Sequence, residues 1–164
     1  MTCPVIYIMG VSGSGKTTIG QKLSVIAGIP FFDGDDFHSA ANKEKMKAGQ
    51  PLNDDDRKDW LLRINKLATE QAGKAGAIIA CSALKEKYRA LLSDGIENSI
   101  RWVFLQGGYK LISERIKARK DHYMPESLLP SQFETLEVPG NAIIIAVDKS
   151  PEEIVRRIMG ELAL

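Results

Sequence analysis

The sequence predicts a three-layer α/β/α fold in which a five-stranded parallel sheet is covered by helices on both faces. Two observations lead there. Five short, β-rich apolar runs, at Val5 to Met9, Pro30 to Asp33, Ala77 to Cys81, Trp102 to Leu105 and Ala142 to Val147, are separated by helix-length stretches. Parallel strands need crossovers of that length, so the alternation points to a parallel sheet. The second observation is a glycine-rich loop, Gly10-Val11-Ser12-Gly13-Ser14-Gly15-Lys16-Thr17, set directly between the first apolar run and the first helical stretch.

Taken in order, the first run is a buried strand and the loop after it has the G-x-x-x-x-G-K-[ST] spacing of a phosphate loop. Such a loop turns its backbone N–H groups and the positive end of the next helix toward polyphosphate oxygens. Glycines are required because the chain passes close to the phosphates with torsions that side chains forbid. Residues 16 to 26 read as an amphipathic helix, with Ile19, Leu23 and Ile26 three and four apart. The second run ends in Asp33-Gly34-Asp35-Asp36, followed by Phe37-His38. Asn53 and three aspartates open a helix carrying Trp60, Leu61, Ile64 and Leu67, with acids in the first turn where the helix dipole favours them. Trp60 falls on the apolar stripe of this helix and is expected in the core. Ser150-Pro151-Glu152-Glu153 combines a serine cap, a proline at the first helical position and a capping-box glutamate, and opens the last helix. Residues 115 to 140 break the alternation: they are rich in charge, contain Pro125, Pro130 and Pro139, and lie between strands four and five as a candidate lid.

At 164 residues the chain suits one domain, 1–164, with no linker or repeat. Its 44% hydrophobic and 26% charged content is that of a globular protein, and a net charge of +1 gives no reason to expect nucleic acid or an anionic membrane as partner. No apolar stretch is long enough to span a bilayer, and no room is left for a signal segment before the first strand, so a cytoplasmic location is expected. Cys3 and Cys81 lack the spacing of a metal site and the density of a disulfide framework.

The chemistry these residues suit is phosphoryl transfer from ATP, on a P-loop kinase fold. Residues Gly10 to Thr17, with Thr18, would hold the phosphates; Lys16 would meet the β and γ phosphates and Thr17 would offer its hydroxyl to Mg²⁺. In open parallel sheets ligands sit beyond the carboxyl ends of the strands, which puts the acidic turn in the same crevice. Asp35 is expected as the base for an attacking hydroxyl and Asp33 as the metal-side carboxylate; an acidic turn that caps the next helix is the competing account, and Asp36 is the acid it suits. Arg115, Arg119 and Lys120, with His122 behind them, supply cations that could stabilise the transferring phosphoryl group; Arg115 and Arg119, four apart, would share a helix face. His38 and His122 could hydrogen-bond a polyol or phosphate, with ordinary polar packing as the competing account. Cys81-Ser82-Ala83-Leu84 follows the third run where a Walker B aspartate would stand, and no Asn-Lys-x-Asp guanine motif occurs, which disfavours motor ATPases and GTPases.

Beyond the loop, Asp-Gly-Asp-Asp-Phe-His at 33 to 38, the stretch from Asn42 through Pro51-Leu52 and Asn53-Asp54-Asp55-Asp56-Arg57 to Trp60-Leu61, Cys-Ser-Ala-Leu-Lys at 81 to 85, Tyr88-Arg89, His122-Tyr123-Met124-Pro125 and Ser131 to Glu137 together resemble the bacterial gluconate kinases. The resemblance runs nearly end to end. It implies a shikimate-kinase-like and nucleoside-monophosphate-kinase-like fold, often dimeric, that phosphorylates D-gluconate at its 6-hydroxyl with ATP and Mg²⁺. It also gives Lys16, Asp35 and Arg119 catalytic roles and makes Asp35, His38, Arg57, Arg89 and His122 substrate-binding candidates, with Arg57 or Arg89 receiving the gluconate carboxylate. Ser39 and Asp59 stand where the family commonly has prolines, at what look like helix entries. Another small hydroxylated acceptor, or a nucleotide-binding role without catalysis, are the alternative readings.

Overall fold

In the computed structural model, which describes residues 2–119 and 125–164, five strands form one parallel sheet in the order β2-β3-β1-β4-β5. The strands are β1 Val5–Met9, β2 Phe31–Asp33, β3 Ala77–Ala80, β4 Ile100–Gln106 and β5 Ile143–Ala146. β1 sits at the centre, pairing Val5 with Ala77 of β3 and with Ile100 of β4. All five residues of β1 are fully buried, as a strand covered on both faces must be.

Side-chain alternation along β1 separates two cores. Val5, Tyr7 and Met9 pack with Trp60, Leu61 and Ile64 of α3 (Asp54–Ala72) and Leu92 of α4 (Glu86–Ser93). Ile6 and Ile8 face the other way, among Ile19 and Leu23 of α1 (Lys16–Ala27), Ile112 of α5 (Tyr109–Ala118) and Ile154 and Ile158 of α7 (Pro151–Leu162). The two remaining helices, α2 (Ala40–Lys47) and α6 (Leu129–Thr135), lie at the cleft end of the molecule.

The caps expected at Asn53 and Ser150 form, with only the Ser150 half of the expected capping box seen at α7. Asn53 and Asp56 form a reciprocal capping box at the start of α3, and the Ser150 hydroxyl accepts the Glu153 N–H at 3.2 Å. β4 runs longer than its apolar letters, because Arg101 and Gln106, exposed near the two ends of the strand, continue its pairing with β1 and β5. The segment between β4 and β5 is more helical than its prolines suggest: α5 extends to Ala118, a short 3-10 turn covers Glu126–Leu128, and Pro130 lies in the first turn of α6, where a missing N–H costs nothing. Among the described residues no helix is long and apolar enough to cross a membrane.

Candidate active site

β1 delivers the phosphate loop to the carboxyl edge of the sheet, and α1 begins inside it. The α1 N-terminus has no side-chain cap and no acid in its first turn, so its N–H groups and dipole are left for an anion. Gly13 holds a φ of +81°, and a Cβ there would meet Ile116 of α5 at 2.8 Å. The Lys16 ammonium is bonded to the carbonyls of Gly10 and Val11, each at 3.0 Å. Withdrawal from solvent pushes its pKa below the usual lysine value, against the opposing pull of Asp35 and Asp33, and Arg119 adds to the lowering. Arg119, exposed at the end of α5, is therefore within electrostatic reach of the loop lysine.

The acidic turn meets the loop across this edge. Thr17 donates its hydroxyl to Asp33 Oδ2 at 3.2 Å, and Asp33 Oδ1 accepts the Asp35 N–H at 3.0 Å. Asp33 thereby caps the 3-10 turn Gly34–Phe37 that carries Asp35. Gly34 is required by space: a Cβ would come within 2.5 Å of the Ala80 carbonyl. A hydroxyl and a carboxylate oxygen side by side are hard donors of the kind Mg²⁺ takes together with phosphate oxygens and water. No cluster of three or more potential metal-ligating side chains of His, Cys, Asp or Glu occurs among the described residues.

Lys16 and Asp35 open into a cleft whose far wall comes from His38, Arg57, Trp60 and Ser82, and whose rim includes Leu128, Ser131 and Gln132 of the return from the β4–β5 segment. Gln132 reaches the loop directly, its Oε1 accepting the Ser12 N–H at 2.6 Å. Asn42 donates to the Asp56 carbonyl at 2.7 Å and lies 3.4 Å from His38 Nδ1, which assigns Nδ1 as acceptor and the proton to Nε2. Burial, with Arg57 and Lys43 nearby, pushes the His38 pKa down to about 4. His38 is thus a neutral donor at the cleft. Arg57 donates through Nη1 to the Leu52 carbonyl and to the Tyr88 hydroxyl at 3.2 Å, while Tyr88 donates to Asp54. That leaves the fork of Arg57 anchored at one nitrogen.

Three expectations need correction or fall outside view. Arg89 does not line the cleft: it is 3% exposed and spends its guanidinium on the Ala83 carbonyl at 2.7 Å, the Glu137 carbonyl at 2.9 Å and Glu86. It clamps the turn after β3, where Ala83 sits at a φ of 47°, to the segment returning from the lid region. Arg115 and Arg119 do not share a helix face, because α5 ends at Ala118 and Arg119 is extended; Arg115 donates to the Val147 carbonyl beyond β5. Lys120 and His122 lie outside the described residues. The cleft also contains groups that sequence reasoning passed over. Gln132 carried no motif signal of its own, and Trp60 was hidden by its place on an apolar stripe.

The family model described as shikimate kinase matches residues 12–163. The gluconokinase of Gluconobacter oxydans is 42% identical, covering 95% of this chain and 92% of that protein. Among solved structures, a gluconokinase from Sinorhizobium meliloti superposes with a TM-score of 0.88 at 39% identity, over 98% of this chain and 91% of that one. A sugar kinase from Janibacter superposes with a TM-score of 0.91 at 37% identity, over 98% and 95%. With sequence and fold matched over nearly its whole length, the chain belongs to the gluconokinase family and, through the matched model, to the wider shikimate kinase family.

Proposed function

We propose that this chain transfers the γ-phosphoryl group of ATP to the 6-hydroxyl of D-gluconate, giving 6-phospho-D-gluconate and ADP. The observation that carries the reading is one cleft in which the phosphate-loop lysine and Asp35 stand together, faced by His38 and Arg57. The relatives named gluconokinase supply the identity of the acceptor.

In this reading the N–H groups of the loop and of α1, through Thr18, receive the phosphates, and Lys16 neutralises charge on the β and γ groups. Asp35 accepts the proton of the 6-hydroxyl as its oxygen bonds to phosphorus and the bond to ADP breaks. His38 donates from Nε2 to an acceptor hydroxyl, and Arg57 meets the carboxylate with the nitrogens that Leu52 and Tyr88 do not hold. Mg²⁺, held by Thr17 and Asp33 with the nucleotide, would offset the charge on the β and γ phosphates. Residues 115 to 140 act as the lid, whose cations Arg115 and Arg119 serve the nucleotide and whose His122 serves the acceptor, and exclude water as a competing acceptor. The reading takes the protein as cytoplasmic, where it would draw on the ATP pool, and a homodimer is the assembly the resemblance carries over.

Coupled ADP-release assays across gluconate, shikimate and nucleoside monophosphates test this. Gluconate-dependent turnover well above the others is expected. Preference for shikimate or a monophosphate would move the chain to another acceptor, and nucleotide binding without any turnover would make it a sensor.

A further inference from the structure

Trp60 makes two polar-facing contacts that its place in a core helix does not require. Its indole N–H donates to the Gly34 carbonyl at 2.7 Å, and its ring stacks on His38 with centroids 4.0 Å apart and planes 15° from parallel. The side chain is 2% exposed, so both contacts lie in a dry setting where a lost partner is felt in full. Gly34 is the hinge of the acidic turn. Both contacts grip the single Gly34–Asp35 peptide unit: the Asp33 carboxylate accepts its N–H, and the Trp60 indole donates to its carbonyl. The lack of a Cβ at Gly34 lets the turn sit against the Ala80 carbonyl, leaving little slack.

We infer that Trp60 is a positioning residue that aligns two cleft groups at once, Asp35 through the Gly34 carbonyl and His38 through the stacked ring. This rests on the phosphoryl-transfer reading above. The two contacts separate by chemistry: the N–H governs where the base stands, and the ring governs where the acceptor-binding imidazole stands. Misplacing a reacting group by about an ångström costs roughly a hundredfold in rate.

The test replaces Trp60 with benzothienylalanine, which keeps the ring shape and lacks the N–H, and separately makes Trp60→Phe and Trp60→Leu. Rates are measured with whichever acceptor the wild type turns over, so a wrong acceptor assignment appears in the wild type and not in the variants. The N–H-deleted residue should lower kcat about tenfold to a hundredfold, with KM for ATP and for the acceptor each within about threefold. Trp60→Leu should in addition raise acceptor KM, because His38 loses its platform. Trp60→Phe should fall between them. Wild-type kcat in the benzothienylalanine variant overturns the inference. So does an equal rise of both KM values, which is the mark of general loosening of the fold. The isosteric residue keeps the test decisive even if Trp60→Leu does not fold.

Discussion

The Thr17 hydroxyl and the Asp33 carboxylate lie 3.2 Å apart, joining the first turn of α1 to the carboxyl end of β2. Two strands separated in the sheet by β3 are thus bridged at the edge where nucleotide and acceptor would meet. The same carboxylate caps the turn bearing Asp35, so its removal should act on metal and fold together. Asp33→Ala should raise the Mg²⁺ concentration for half-maximal rate by about tenfold or more, and lower stability by about 1 kcal/mol through the lost cap. A Mg²⁺ titration of initial rates beside a thermal melt reads both; an unchanged Mg²⁺ midpoint would remove Asp33 from the metal.

Asp35 is exposed at the cleft, while the Lys16 ammonium is held by the Gly10 and Val11 carbonyls and the Thr17 hydroxyl by Asp33. Asp35→Asn should therefore lower kcat by about 10²–10⁴ while the ATP dissociation constant stays within about twofold. Single-turnover rates and calorimetric ATP titration check the two halves.

His38 couples the cleft to acid stability. Its folded pKa of about 4 lies below the ordinary histidine value, through burial first and then the charges of Arg57 and Lys43. In the pH window between those values the unfolded chain binds the proton and the folded chain does not, so stability falls as pH is lowered. The slope approaches about 1.4 kcal/mol per pH unit for one group. The contribution is complete above the unfolded pKa and is lost as pH falls through about 4. His38→Asn should flatten the decline in urea midpoint between neutral pH and pH about 4.5, whatever it costs at neutral pH. An unchanged slope would assign the acid lability elsewhere.

Much of this arrangement is legible in the sequence because short-range rules govern it. The phosphate loop, the Asn53 and Ser150 caps and the five strand runs are local patterns, and each appears where its pattern lies. What the sequence concealed depends on contacts between distant residues. Trp60 and Gly34 are 26 positions apart and Gln132 and Ser12 are 120 apart, so neither pair leaves a spacing signal. The roles of Arg57 and Arg89 are set by which carbonyls reach each guanidinium, and two arginines in one matched segment set look alike until those partners are placed.

That difference supplies the sharpest experiment on the acceptor site. Arg57 lines the cleft with one nitrogen committed, whereas buried Arg89 holds two carbonyls and a carboxylate away from it. Arg57→Met should raise KM for gluconate roughly 10- to 100-fold, the worth of a charge-assisted hydrogen bond or two, and should lower the melting temperature by less than Arg89→Met does, since only one carbonyl, that of Leu52, loses its donor. Arg57→Lys keeps the charge but not the fork and should recover only part of the loss. Arg89→Met should do the reverse. It leaves the Ala83 and Glu137 carbonyls without their donor, at a cost of about 1–3 kcal/mol each, and should lower the melting temperature by roughly 5–15 °C. Below that temperature its gluconate KM should stay within about threefold of wild type, because the guanidinium it lacks never faced the acceptor. Steady-state kinetics and melts of the three variants decide the assignment. A large KM effect from Arg89→Met with an unchanged melt would place the carboxylate there and make Arg57 the structural partner.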